Sequence, residues 1–160
     1  MGFSKNVRAI SRFIPSWLGG AIVTTVLAVL LQTQAVISRL NGVGAEIGLG
    51  ERLAMSAYDV FRLGSFYIIF IAIGMLAAYL SGLLVYRLVG FGRWIIFSVA
   101  GAVAMLVMLM AMKQAFFGIH MIAGARDGFG IGLQMLAGAV GGLVFAALTA
   151  RFMDAKSKAA

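Results

Sequence analysis

No cysteine occurs among the 160 residues. Disulfides, thiolate metal sites, thiol redox chemistry and cysteine lipidation are therefore all excluded. Histidine occurs once, as His120, which is too few for a histidine metal cluster. Proline also occurs once, as Pro15. Acidic residues number only 5, against 13 Lys and Arg, for a formal charge of +8. In a soluble protein that balance suggests nucleic acid. Here the basic residues sit at the ends of long apolar runs, where anionic lipid head groups are the nearer partner. The expected partner is the lipid bilayer, and nucleic acid is not one.

Apolar sequence fills the space that charge leaves. Hydrophobic residues make up 62% of the chain and the mean hydropathy is +1.04, outside the range of soluble globular domains. Four stretches carry no charge at all: Phe13 to Ser38, Leu63 to Tyr86, Trp94 to Met112 and Gly128 to Ala150. As helices they run roughly 28 to 39 Å, enough to cross a hydrocarbon layer of about 30 Å. The expected fold class is all-α, an integral membrane bundle of four transmembrane helices over about 16–38, 63–88, 94–116 and 129–152. They form a single domain over 1–160, with no room for a soluble one.

Lys5, Arg8 and Arg12 followed by Leu18 to Leu31 resemble a signal peptide, but the apolar stretch outruns a signal core and Gln32-Thr33-Gln34-Ala35 is a poor cleavage site. A retained helix is expected. With the N-terminus inside, eight Lys and Arg fall on the cytoplasmic side and five on the other, which places both termini in the cytoplasm of a bacterial-type inner membrane. Pro15 suits the first turn of helix one, and Trp17 and Trp94 suit the membrane interface.

The turn Val89-Gly90-Phe91-Gly92 makes helices two and three antiparallel neighbours. The outer connection from Asn41 to Arg62 is long. Its second half, from Glu51, reads as a short amphipathic helix, with Arg52, Ser56, Asp59 and Arg62 on one face. It either lies on the outer surface or extends helix two. Arg126 and Asp127 are expected to pair with that polar face, so Arg52, Asp59, His120, Arg126 and Asp127 form an outer polar cluster.

Small residues recur every four positions in the last helix, at Gly130, Gly138, Gly142, Ala146 and Ala150, with Gln134 among them. Residues four apart share a face, and a flat face lets two backbones approach closely in lipid. Helix one repeats the pattern with Gly20, Thr24, Ala28 and Gln32, and helix two with Gly74, Ala78 and Gly82. These faces serve packing within the bundle or self-association. Gln32 and Gln134 fall at similar depth, each on such a stripe. They read as partners in an interhelical clamp, or alternatively as polar lining of a pore.

No carboxylate lies within an apolar run, so the usual mark of a proton or cation relay is missing. Met105, Met108 and Met112 share a face without a histidine or cysteine and read as packing residues. The glycines after Gly128 are followed by no lysine, so a phosphate loop is rejected. No catalytic residue, metal site or cofactor is expected. The leading reading is a structural or accessory subunit that packs through small-residue faces as a homo-oligomer or in a larger membrane complex. The alternative is a small oligomeric transporter or channel lined by Gln32 and Gln134. A membrane enzyme or lipid-handling protein is the third class.

Overall fold

The computed structural model describes residues 3–115, 125 and 127–157, with the backbone alone at 3–12, 115 and 151–157. It contains four helices: α1 (Phe3–Gly42), α2 (Leu49–Val89), α3 (Arg93–Ala115) and α4 (Gly128–Ser157). Each is long and apolar enough to cross a membrane, and no strand occurs among the described residues.

Two helices differ from their expected limits. α1 starts at Phe3, so Pro15 lies inside it and not in its first turn. The ring removes one helical N–H, which a long helix tolerates where its neighbours hold it. Glu51 to Arg62 is not a separate loop helix but the beginning of α2, which runs unbroken for 41 residues. Its start is fixed by the Gly48 N–H, which donates to Glu51 Oε2 at 3.1 Å. Its end is fixed by Gly90 at φ +80, whose N–H reaches back to Tyr86 O at 2.8 Å. A residue with a Cβ adopts that left-handed turn only under strain.

Hydrogen bonds and contacts give the register. Trp17 Nε1 donates to Ala72 O at 2.9 Å and Thr33 Oγ1 to Asp59 Oδ2 at 2.8 Å, so position rises along α1 as it falls along α2. The indole of Trp17 is thus engaged in a contact between α1 and α2. Gly20 with Gly141 and Ala28 with Gln134 run the same way for α1 and α4, as do Phe97 with Gly142 and Gly101 with Gly138 for α3 and α4. Each helix packs on the next and α4 packs on α1, which closes an up-down-up-down ring.

Glycine sets the closest seams. A Cβ on Gly138 would fall on the Gly101 carbonyl oxygen, one on Gly101 would fall on the Gly138 carbonyl oxygen, and one on Gly142 would fall on that of Phe97. Backbone therefore rests on backbone along the α3–α4 seam. Gly141 does the same toward α1, where a Cβ would overlap Thr24 Oγ1 and stand 2.8 Å from the Gly20 carbonyl oxygen. Adjacent residues of a helix point about 100° apart, so Gly141 and Gly142 bring α4 against two neighbours at one level.

Beside these contacts the interior is filled by rings. Tyr79 stacks on Phe145 with centroids 4.1 Å apart, and Phe97 meets Phe145 edge-on at 4.8 Å. All three are fully buried. Gly20 and Gly82 make room for them: a Cβ on Gly20 would stand 2.7 Å from the Tyr79 hydroxyl, and one on Gly82 would stand 3.1 Å from the Phe97 ring. Gly74 is the exception among the expected packing glycines, because nothing lies within 4 Å of where its Cβ would be. It borders an open groove and does not pack within the chain.

Gly142→Ala should therefore lower stability by roughly 1–3 kcal/mol through overpacking, while Gly74→Ala should stay within about 0.5 kcal/mol of the parent. Thermal unfolding of the two variants in one detergent measures the contrast.

Candidate functional site

Polar side chains gather toward the end of the bundle that bears the α1–α2 loop. Gln134 lies one turn before Gly138 on α4 and is 1% exposed. Its Nε2 donates to Ala28 O of α1 at 3.0 Å, and its Oε1 accepts from the Tyr67 hydroxyl of α2 at 3.3 Å. A helical carbonyl has a second lone pair free after its own ladder bond, which makes Ala28 available. One amide thus joins three helices.

Gln32, one turn beyond Ala28, is not the partner of Gln134. It is 8% exposed, and its Oε1 is buried and accepts no hydrogen bond among the described residues. The expected pairing compared depth on two helices only. It left out Tyr67, which approaches from the third, and the backbone carbonyl nearer to hand.

The next turn outward ties α1 to α2. Thr33 Oγ1 lies 2.8 Å from Asp59 Oδ2 and 3.0 Å from its own helix at Val29 O. Gln34 Nε2 donates to Ser56 Oγ at 3.3 Å. Thr24 and Thr25 instead bond back to Gly20 O and Ala21 O, so their hydroxyls are satisfied without a ligand.

The expected outer polar cluster does not form as one group among the described residues. Arg52 Nε donates to Ile47 O at 3.2 Å, and the Asn41 amide in its bonded orientation accepts from Arg52 and donates to Ala45 O, which folds the α1–α2 loop on itself. Asp59 faces Thr33. Asp127 Oδ2 accepts from Arg39 of α1 at 2.9 Å, and its Oδ1 accepts from the Gly130 N–H at 2.7 Å, which caps α4. Those bonds, the Gly130 N–H foremost and the Arg39 guanidinium next, hold the Asp127 carboxyl below the usual carboxylate range. Asp127 reaches α1 and not the polar face of α2 because α1 borders α4 in the ring while α2 lies diagonal to it. His120 and Arg126 lie outside the described residues.

Among the described residues no group of three His, Asp or Glu stands ready for a metal ion. Met105 and Met108 are buried in the core, whereas Met110 is exposed. The polar layer offers amides and hydroxyls that hold helices together.

A second feature has no counterpart in the sequence reading. Between α2 and α3, the two neighbours that pack least closely, runs an open groove of about 750 Å³. Gly74 and Ala78 of α2 and Ala100 and Ala104 of α3 form its floor, and Ile73, Val99 and Val103 stand among its walls. Its one hydroxyl, on Ser81, bonds to Ala77 O of its own helix. No protein-family model matches the chain, and neither a curated protein nor a solved structure does.

Gln134→Leu should cost about 1 kcal/mol, and Gln32→Leu should cost less because its buried carbonyl has no bond to lose. Their double variant should be additive in thermal unfolding, since the two amides do not touch. Asp127→Asn tests the cap. A carboxyl with a lowered folded pKa stabilises fully above its unfolded value of about 4 and loses that effect as pH falls through the folded value. The variant should melt below the parent at pH 7, and the gap should close in acid.

Proposed function

We propose that the protein is a non-catalytic, multi-pass subunit of a bacterial inner membrane that assembles with itself or within a larger membrane complex. Both termini face the cytoplasm, on the strength of eight Lys and Arg on that side against five on the other. The observation that carries the reading is an apolar face on α2 that continues past the hydrocarbon. α2 starts at Leu49 but its charge-free stretch starts at Leu63, which leaves roughly 20 Å of helix beyond it. On that extension Leu49, Leu53 and Phe61 are 81%, 72% and 77% exposed. Outside the bilayer such a face has no lipid to meet, and a protein partner covers it.

The enclosed small-residue faces are not the route of assembly in this reading. Gly138 and Gly142 already meet α3, Gly20 meets α4 and α2, and Gly82 meets α3. Association falls to α2. The aromatic filling around Tyr79, Phe97 and Phe145 speaks against a polar path through the protomer. One observation favours the alternative of transport: the orphan Oε1 of Gln32 beside the Gln134 layer.

Mass measurement in mild detergent tests the proposal. The wild type should appear as a multiple of the protomer or with a fixed partner, and Leu53→Glu with Phe61→Glu should release the monomer. A wild type that is monomeric and alone would refute it. For the orientation, Gly44→Cys should be labelled by an impermeant reagent from the non-cytoplasmic side only.

A further inference from the structure

We propose that residues 3–12 of α1 are a membrane-surface anchor, with Phe3, Val7 and Ile10 entering the lipid and Lys5, Arg8 and Arg12 binding anionic head groups. The inference rests on this segment alone and is independent of how the protein assembles.

The pattern of the segment comes first. α1 is helical from Phe3, well ahead of the charge-free stretch that begins at Phe13. At about 100° per residue, Phe3, Val7, Ile10 and Ile14 fall within roughly 40° of one another, and Lys5, Arg8 and Arg12 fall within roughly 60° on the opposite side. A basic amphipathic helix of this kind suits a membrane surface. Past Ile14 the same row continues into the membrane as Leu18 and Ile22, and these three side chains are 45%, 43% and 49% exposed. The bundle therefore leaves this side of α1 uncovered where the described side chains begin.

Level then decides where the apolar face lies. Gly20 packs against Gly141 in an antiparallel pair, which brings Arg12 near the level of Arg151, and these two charges mark the edge of the hydrocarbon on α1 and α4. Continued straight, residues 3–12 would reach about 15 Å beyond that edge, through a head-group layer of roughly 5–8 Å. Phe3 and Val7 would then stand in water. Pro15 lies at the same edge, inside the helix, and its ring removes one ladder N–H. Helices bend at such prolines, and a bend here lays the segment along the surface.

Charge selects the surface. No acidic residue precedes Glu46, and of the five in the chain Asp154 alone falls at this end of the bundle, so the chain cannot neutralise Lys5, Arg8 and Arg12 itself. Anionic head groups do so at the depth where the segment lies. An acidic protein would match the charges but leave the apolar face opposite them in water. A bilayer takes both faces at once.

The test places one spin label at Val7→Cys or Arg8→Cys in the full-length chain, which has no other cysteine, and reads its accessibility to oxygen and to a water-soluble nickel chelate. Vesicles contain phosphatidylglycerol with phosphatidylcholine, or phosphatidylcholine alone; each lipid is present in both leaflets, so the direction of insertion does not matter. With phosphatidylglycerol the Val7 label should meet oxygen and not nickel, and the Arg8 label should meet nickel. Adding Lys5→Glu and Arg8→Glu to the Val7→Cys protein should lower the ratio of inserted to released label by at least roughly thirtyfold, the equivalent of about 1 kcal/mol for each of two charges lost. Phosphatidylcholine alone should lower it likewise. A Val7 label as open to nickel as the Arg8 label would overturn the proposal, since the segment would then stand in water. So would a Val7 label shielded from both reagents, which would mean that protein covers the face, or an insertion that ignores the lipid charge.

Discussion

In hydrocarbon, helices gain nothing by hiding leucines from one another, because the lipid is as apolar as the side chains. What remains is the closeness of packing and the few hydrogen bonds that lipid cannot supply. This chain draws on the first of these most heavily in α4. Gly138 and Gly142 lay their backbone against Gly101 and Phe97 of α3, and Gly141 lays its backbone against Gly20 and Thr24 of α1. Once α4 is held from two sides, the rings of Tyr79, Phe97 and Phe145 stack in the space that the glycines open.

The hydrogen bonds play the second part and lie at one end. Gln134 collects α1 and α2, Thr33 and Gln34 hold the α1–α2 pair where it leaves the bundle, and Asp127 ties the start of α4 to Arg39. The bundle is thus dry and ring-filled toward the Gly90 turn and polar toward the α1–α2 loop. The α2–α3 neighbours are left out of both devices. They share neither a backbone contact of the Gly101–Gly138 kind nor a polar clamp, which is why a groove opens there.

The four spans were legible because charge marks their limits: Arg12 and Arg39, Arg62 and Arg87, Arg93 and Lys113, Asp127 and Arg151. The glycine faces were legible as faces, since spacing by four fixes which residues share one side. What each face meets was not, because spacing carries no information about the neighbour. Gly138 and Gly142 therefore read as serving packing within the bundle or self-association without a choice between them, where the structure encloses them against α3, and Gly74 read as packed when it borders a gap. Gly101 is a single glycine with no repeat around it and carries no signal at all. The extension of α2 was weighed as one of two outcomes, since the polar period from Glu51 to Arg62 is the same whether the helix stands alone or continues. The cap at Asp127 did have a signal, an Asp directly ahead of an apolar helix. The histidine and arginine near it in sequence drew the reading toward a cluster instead.

Gly101 and Gly138 provide the most direct test of the claim that backbone contact organises the bundle. In a double-mutant cycle of Gly101→Ala and Gly138→Ala, each substitution alone should push α3 and α4 apart and destabilise the protein. Once one methyl has opened the seam, the second has little left to disturb, so the double variant should cost far less than the two losses together. Losses that add in full would mean the two glycines respond to separate surroundings, and the backbone seam between α3 and α4 would not exist as described.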